Sequence, residues 1–286
     1  MVGPSLLLYF QPELNGWREL GRCCCVADVS STETVPQVFD RLAGDYDEHL
    51  PFFTEFGREF LRVLRPGAGA RFLDLGCGHG ALIGWALEAG CRVTAVDAAP
   101  AMVDRVARLH PGAFETRVMD AHVLDLPDGS FDTVAASFVF SLLDDPGAAA
   151  REVRRVLVPG GVFALTTPAE PLDADGPTDL AGELFGEFAE HQGEGCTMGA
   201  PLDARALLVD GGFTDIREEH IEVRIPVPDP ETFWRWLSSH GSAAYLERLP
   251  ADRRAEFHDR LVKDLAKKDA IILYRAATVT SGRAPE

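Results

Sequence analysis

Residues 71 to 80 read Arg-Phe-Leu-Asp-Leu-Gly-Cys-Gly-His-Gly, an apolar strand that runs through an acid into a turn of alternating glycines. Gly76, Gly78 and Gly80 allow a tight turn free of Cβ clashes, which brings backbone N–H groups toward a ligand. Asp74 stands just ahead of the first glycine, where its charge repels a pyrophosphate and attracts an ammonium or sulfonium. With a helix expected at 80–89, this stretch is a strand-to-helix crossover.

Outward from it, strands are expected at 92–96, 115–119, 132–137 and 162–167, with helices at 100–109 after Pro100 and at 146–157 before Pro159-Gly160-Gly161. The alternation predicts an α/β fold, a doubly wound, mostly parallel sheet with ligands at the strands' C-terminal edge. After Thr167 the pattern breaks. Residues 168–200 carry an amphipathic patch, Leu180, Leu184, Phe185 and Phe188, among prolines, glycines and acids. A helix at 202–210 and a strand at 215–225 follow, and a final strand is expected at 269–278. The organisation read from this is an irregular N-terminal arm over 1–35 and a core over 36–225 and 268–280 that includes the 168–200 lid segment. A helical lid over 226–267 carries Phe233, Trp234 and Trp236. Residues 36–64 form an amphipathic helical stretch between the arm and the first strand.

The 286 residues are 46% hydrophobic, enough for a substantial packed core. A formal charge of −18, with lysine only at 263, 267 and 268, argues against a nucleic-acid partner. Cys23, Cys24 and Cys25 are consecutive and Cys77, Cys91 and Cys196 are scattered, which predicts unpaired thiols and no metal site. The apolar run Leu6 to Phe10 falls far short of the roughly 20 residues of a membrane span. A cytoplasmic location and no membrane contact are expected.

Asp97 ends the second strand, placed to accept both hydroxyls of a ribose, and Met102 lies one turn on, where it could pack on an adenine. Asp120-Ala121 ends the third strand and could read an adenine edge. Each acid alone could be a helix cap; three at successive strand ends point to a nucleoside. With the cation implied by Asp74, the ligand description fits S-adenosylmethionine (SAM). The rival reading, Gly76-x-Gly78-x-x-Ala81 as a dinucleotide fingerprint, leaves Asp74 facing the pyrophosphate.

These motifs, with Leu126-Pro127-Asp128-Gly129-Ser130-Phe131-Asp132 and Leu157-Val158-Pro159-Gly160-Gly161, resemble the class I SAM-dependent methyltransferases, in particular the bacterial small-molecule group related to the quinone-biosynthesis enzymes. The resemblance implies a seven-stranded sheet whose last strand is antiparallel. It implies that Asp74, Gly76 and Gly78 hold the methionine amino end, Asp97 the ribose, Asp120 and Ala121 the adenine, and the Ser137 backbone the methionine portion. Phe39 to Asp47 resembles the helix that folds over SAM, with Tyr46 at the methionine carboxylate or the substrate. The product would be S-adenosylhomocysteine.

Ser137-Phe138-Val139-Phe140 departs from the Asn/Asp-Pro-Pro-aromatic signature of enzymes that methylate base or glutamine amines. The aromatic lid instead favours a hydrophobic or aromatic small molecule, methylated on carbon, oxygen or nitrogen. His191 and His240, in the expected lid, are the candidate catalytic residues, and His79 is a cofactor-side or packing residue. His49, His110, His122, His220 and His258 are read as surface or structural. The alternative is a non-catalytic SAM-binding scaffold, and the arm or lid could join subunits of a homo-oligomer.

Overall fold

The computed structural model describes residues 34–110, 114–173, 180–191 and 202–286. The arm expected to join subunits, Cys23 to Cys25, Cys196 and much of the 168–200 segment lie outside the described residues. Helices α1 (Val35–Leu42) and α2 (Phe52–Leu64) lead into β1 (Arg71–Leu75), α3 (Ile83–Glu88), β2 (Arg92–Asp97), α4 (Pro100–Leu109) and β3 (Glu115–Val118). The chain continues through β4 (Phe131–Ser137), α5 (Pro146–Val156), β5 (Leu157–Ala169), α6 (Leu180–Phe188), α7 (Ala204–Asp210) and β6 (Thr214–Val227). Helices α8 (Pro230–Leu237), α9 (Ser242–Arg248) and α10 (Ala251–Leu265) then precede β7 (Ile271–Arg283).

The sheet runs β3-β2-β1-β4-β5-β7-β6, and β7 alone is antiparallel to its neighbours. The seven-stranded, doubly wound α/β architecture expected from the sequence is the one observed. From β1 the chain winds outward to β2 and β3, then returns to the other side as β4. The reversal puts a crevice beyond the carboxyl ends of β1 and β4. These central strands are covered on both faces, so their sequences are apolar nearly throughout. One face packs Phe56, Phe60 and Phe72, the other Leu73, Val134 and Phe163. Asp145, Asp203 and Asp229 start α5, α7 and α8 by accepting the N–H of Ala148, Ala206 and Thr232, each at 2.8 Å.

Element boundaries differ from the sequence reading for local reasons. The helix expected at 80–89 begins only at Ile83, because Gly80 at φ +95° bends the chain outside helical space. The Pro-Gly-Gly turn is absorbed into β5, where Gly160 and Gly161 exchange hydrogen bonds with Ala284. β7 runs on to Arg283 because both its edges are paired. The amphipathic stretch 36–64 is broken by a turn that carries Asp47 at φ +58°. The insertion between β6 and β7 forms three helices, and α8 buries Phe233 and Trp236 in the main core.

α2 crosses the start of α3 so closely that a Cβ on Gly57 would meet the Ala81 carbonyl oxygen at 2.2 Å. That oxygen belongs to backbone and has little room to yield. Gly57→Ala should therefore destabilise the fold by about 1–3 kcal/mol, visible as a lower Tm.

Candidate active site

At the end of β1 the carboxylate of Asp74 is 1% exposed, and neither oxygen has a hydrogen-bond partner. Burial, and secondarily the charge of Asp97, push its pKa from 3.8 up to about 8. The loop that follows folds back on the sheet. Gly76 and Cys77 donate to the Val96 carbonyl at 2.8 and 2.9 Å, Gly78 donates to Asp97 Oδ2 at 2.8 Å, and Gly80 donates to Cys77 at 2.8 Å. The expected row of free loop amides is thus largely spent. A pyrophosphate would find few donors here, which removes the main attraction of the dinucleotide reading. Among the described residues the N–H groups of His79, Ala81 and Leu82 in this loop have no partner. Gly76 is required sterically: its φ is +71°, and a Cβ would lie 2.4 Å from Val139 Cγ2.

Asp97, at the end of β2, accepts from Gly78 with one oxygen and from the Ala99 N–H with the other, at 2.9 Å. Its pKa is raised, chiefly by burial against the opposing pull of these N–H groups. Met102 is fully buried, packed with Val38, Leu42, Tyr46 and Ala99. It supports α1 from beneath and is not at a cleft surface, as packing on an adenine would require. Asp120 lies two residues past β3, exposed, with Oδ1 held by the backbone N–H and ring of His122 at 2.9 and 2.6 Å. The backbone bond, followed by the ring, lowers its pKa. Ala121 beside it is buried. Ser137 ends β4 with its hydroxyl buried and unpartnered.

Beyond these strand ends the α1–α2 turn and the helices between β6 and β7 meet in a set of aromatic rings. Tyr46 stacks on Phe53 at 4.9 Å and tilts toward His79 at 5.5 Å. Phe52 packs on Trp236 at 5.2 Å, and Phe138 lies edge-on to Phe53 and Phe56. His240 sits among them, 4.3 Å from the Trp236 ring. Its Nδ1 lies 2.6 Å from the Trp236 carbonyl, which can only accept, so Nδ1 carries the proton and Nε2 the lone pair. Burial lowers the His240 pKa to about 4. His191, by contrast, follows α6 and packs on Phe188, which in turn packs on Phe257 of α10. The structure brings His240, not His191, to the rings that border the glycine loop.

Two features of this site have only faint sequence signals. Asp47 sits beside the quoted Tyr46; its oxygens accept from the N–H groups of Phe53 and Thr54 at 3.0 and 3.2 Å. Its Oδ2 also lies 3.1 Å from His79 Nε2, at ion-pair distance but off the hydrogen-bonding direction. Phe138 holds φ +57°, and its N–H donates to the buried Thr166 Oγ1 at 2.8 Å. Left-handed backbone at a bulky residue is costly and cannot be read from composition.

Residues 73–165 match the family described as "Methyltransferase domain". Nocamycin O-methyltransferase of Saccharothrix syringae is 33% identical over 257 residues, spanning 80% of this chain and 89% of that protein. The chain is a class I SAM-dependent methyltransferase. Aklanonic acid methyltransferase DauC of Streptomyces sp. (strain C5) is 35% identical over 150 residues, 49% of this chain and 68% of that one. The fold is shared with the YcgJ protein of Bacillus subtilis at a TM-score of 0.55, with 20% identity over 80% of this chain and 98% of that chain.

The methyltransferase's own residues fit SAM: an orphaned, buried carboxylate suits the cofactor's ammonium, and a carboxylate braced across the glycine loop suits a ribose. Among the described residues no cluster of His, Cys, Asp or Glu could hold a metal, and no helix is long and apolar enough to cross a membrane.

Because the folded pKa of Asp74, about 8, exceeds the usual 3.8, the folded state keeps a proton that the unfolded chain has lost. Ionising Asp74 therefore costs stability, and the cost grows as pH rises through that window. Asp74→Asn should raise the Tm of the ligand-free protein at pH 7 to 8, with no gain below the usual carboxyl pKa, while it weakens SAM binding.

Proposed function

We propose that this methyltransferase methylates an oxygen of a small hydrophobic or aromatic metabolite. The observation that carries the reading is the buried, unpartnered carboxylate of Asp74 at the end of β1, with a packed cluster of aromatic rings around the glycine loop that follows it. The matched relatives named for nocamycin, aklanonic acid and ubiquinone biosynthesis support an acceptor of this kind, and two of those names specify O-methylation. The acidic net charge of −18 favours a small molecule over nucleic acid.

In this reading Asp74 holds the ammonium of SAM, together with carbonyls of the loop at Gly76 and Gly78. Asp97 accepts the ribose hydroxyls, its orientation set in advance by Gly78 and Ala99. Asp120 and Ala121 take the adenine edge, and Ser137 and Tyr46 border the methionine portion. Met102 acts from behind by supporting Tyr46. SAM supplies an electrophilic methyl group on its sulfonium. The rings of Phe52, Phe53, Phe138 and Trp236 exclude water and orient the acceptor. His240 takes the acceptor's proton on Nε2, which the bond to the Trp236 carbonyl leaves unprotonated and which lies 3.3 Å from Ser242 Oγ, a hydroxyl that donates to the Leu237 carbonyl. A base this weak suits an acidic hydroxyl, as on an aromatic ring. His191 packs on Phe188, and the reading gives it no part in the proton transfer.

Titration calorimetry with SAM, S-adenosylhomocysteine and NAD tests the cofactor assignment. Binding of the two sulfur compounds and not of NAD is expected, and Asp97→Ala should weaken SAM by about 1.5–3 kcal/mol. A protein that binds SAM but turns over no acceptor in a broad phenol and hydroxyl panel would favour the scaffold alternative. With an acceptor in hand, His240→Gln should lower kcat by about 100-fold or more and leave SAM affinity unchanged. Equal activity of the variant would remove His240 from the chemistry.

A further inference from the structure

β6 closes one side of the sheet and pairs with β7 alone, so its outer side carries backbone N–H and C=O groups that no backbone partner meets among the described residues. A long open edge of this kind is a template for another strand unless the chain blunts it. The opposite edge is blunted by its shortness, since β3 spans only Glu115–Val118. β6 runs from Thr214 to Val227 and is interrupted only near its ends. At its start the register with β7 shifts between Thr214 and Arg217, with Asp215 at φ +49°. Near its finish stands Pro226, and a proline within a sheet sits where its missing N–H would face the open edge. Residues 217–225 lie between these interruptions, and their midpoint is Ile221.

Side chains of this run alternate between two faces. Ile221, Val223 and Ile225 are buried in the main core, whereas Glu218, His220, Glu222 and Arg224 stand on the other face. Glu218 pairs there with Arg205 at 3.2 Å. Arg224 is held by Asp173 at 2.8 Å and lies over the Tyr274 ring at 4.0 Å. If a second β6 adds antiparallel about a two-fold axis normal to the sheet, opposed residues share a face, so the axis passes through one residue of the run. With the axis at Ile221, Glu218 lies opposite Arg224 and His220 opposite Glu222, each contact occurring twice. An axis at Glu219 or Glu222 sets that acid against its own copy, and one at His220 sets Glu218 against Glu222. An axis nearer either end carries the pairing through the bulge or through Pro226. The register that joins opposite charges is therefore also the one centred between the two interruptions.

We infer that β6 is a dimerisation edge, to which a second copy of this chain adds its own β6 in the antiparallel register centred on Ile221. Glu218 and Arg224 then meet across the axis and link the pairs to Arg205 and Asp173 into rows of alternating charge. These local contacts answer the general repulsion between two chains of net charge −18. The two sheets become one. Because the copies run in opposite directions, the crevices beyond β1 and β4 open on opposite margins of it.

Sedimentation velocity of the full chain tests this. Wild type should be dimeric at micromolar concentration. Glu218→Arg and Arg224→Glu each place like charges opposite one another twice, and each should raise the dimer Kd by about tenfold or more. Mixed in equal amounts, the two variants regain both opposite-charge pairs in a heterodimer, and the Kd should return to the wild-type value. A folding defect in either variant would not be cured by mixing. Wild type that stays monomeric, variants that dimerise as tightly as wild type, or a mixture that associates no better than its components would overturn the proposal. Tighter self-association of Glu218→Arg would place the axis at His220 and overturn the register.

Discussion

Everything at the site follows from a carboxylate driven into the core by the strand that carries it. β1 is apolar on both sides of Asp74, so the sheet cannot form without taking the acid out of water. Among the described residues no donor meets it, and Asp97 nearby makes its ionisation harder still. The protein holds this group at a cost to its own stability, which is the signature of a residue retained for a ligand's sake. The glycine loop complies with the same constraint. Its amides turn away from Asp74 to the Val96 carbonyl and to Asp97, so the loop presses no N–H partner on the acid.

A second theme is the sharing of few groups among several tasks. Asp47 secures the first turn of α2 through Phe53 and Thr54, and the same carboxylate faces His79. Phe53 packs on Tyr46, His79, Phe138 and His240, so one ring joins the glycine loop, the end of β4 and the helices before β7. Thr166 on β5 secures the strained Phe138 through a single hydrogen bond.

The sheet was legible because its strands obey simple rules: apolar runs, proline at helix starts and acids at strand ends. The strand ends carrying Asp74, Asp97 and Ser137 could be located for the same reason. What sequence could not convey was direction. It offered the glycine loop as a row of donors, yet hydrogen bonds to β2 consume most of them. It offered Met102 as a surface, whereas α1 closes over it. His191 and His240 looked equivalent in the expected lid, and only tertiary packing separates them: one lies against Phe188, the other against Trp236 and α2. Asp47 was hidden because its partners, Phe53, Thr54 and His79, meet it only in the folded chain, and Phe138 because bulky residues rarely adopt a positive φ.

The position of β7 in the sheet bears on the order in which the molecule can assemble. The strands β1 to β5, with the glycine loop and its acids, form a contiguous parallel block from the earlier part of the chain. β6 has no partner except β7, which is the last strand in chain order and yet lies between β5 and β6. During synthesis the parallel block can therefore take shape while β6 and the helices α8 to α10 still await their place. Only when β7 emerges and inserts can the outer edge of the sheet close, so the parallel block precedes the antiparallel edge in the life of each chain.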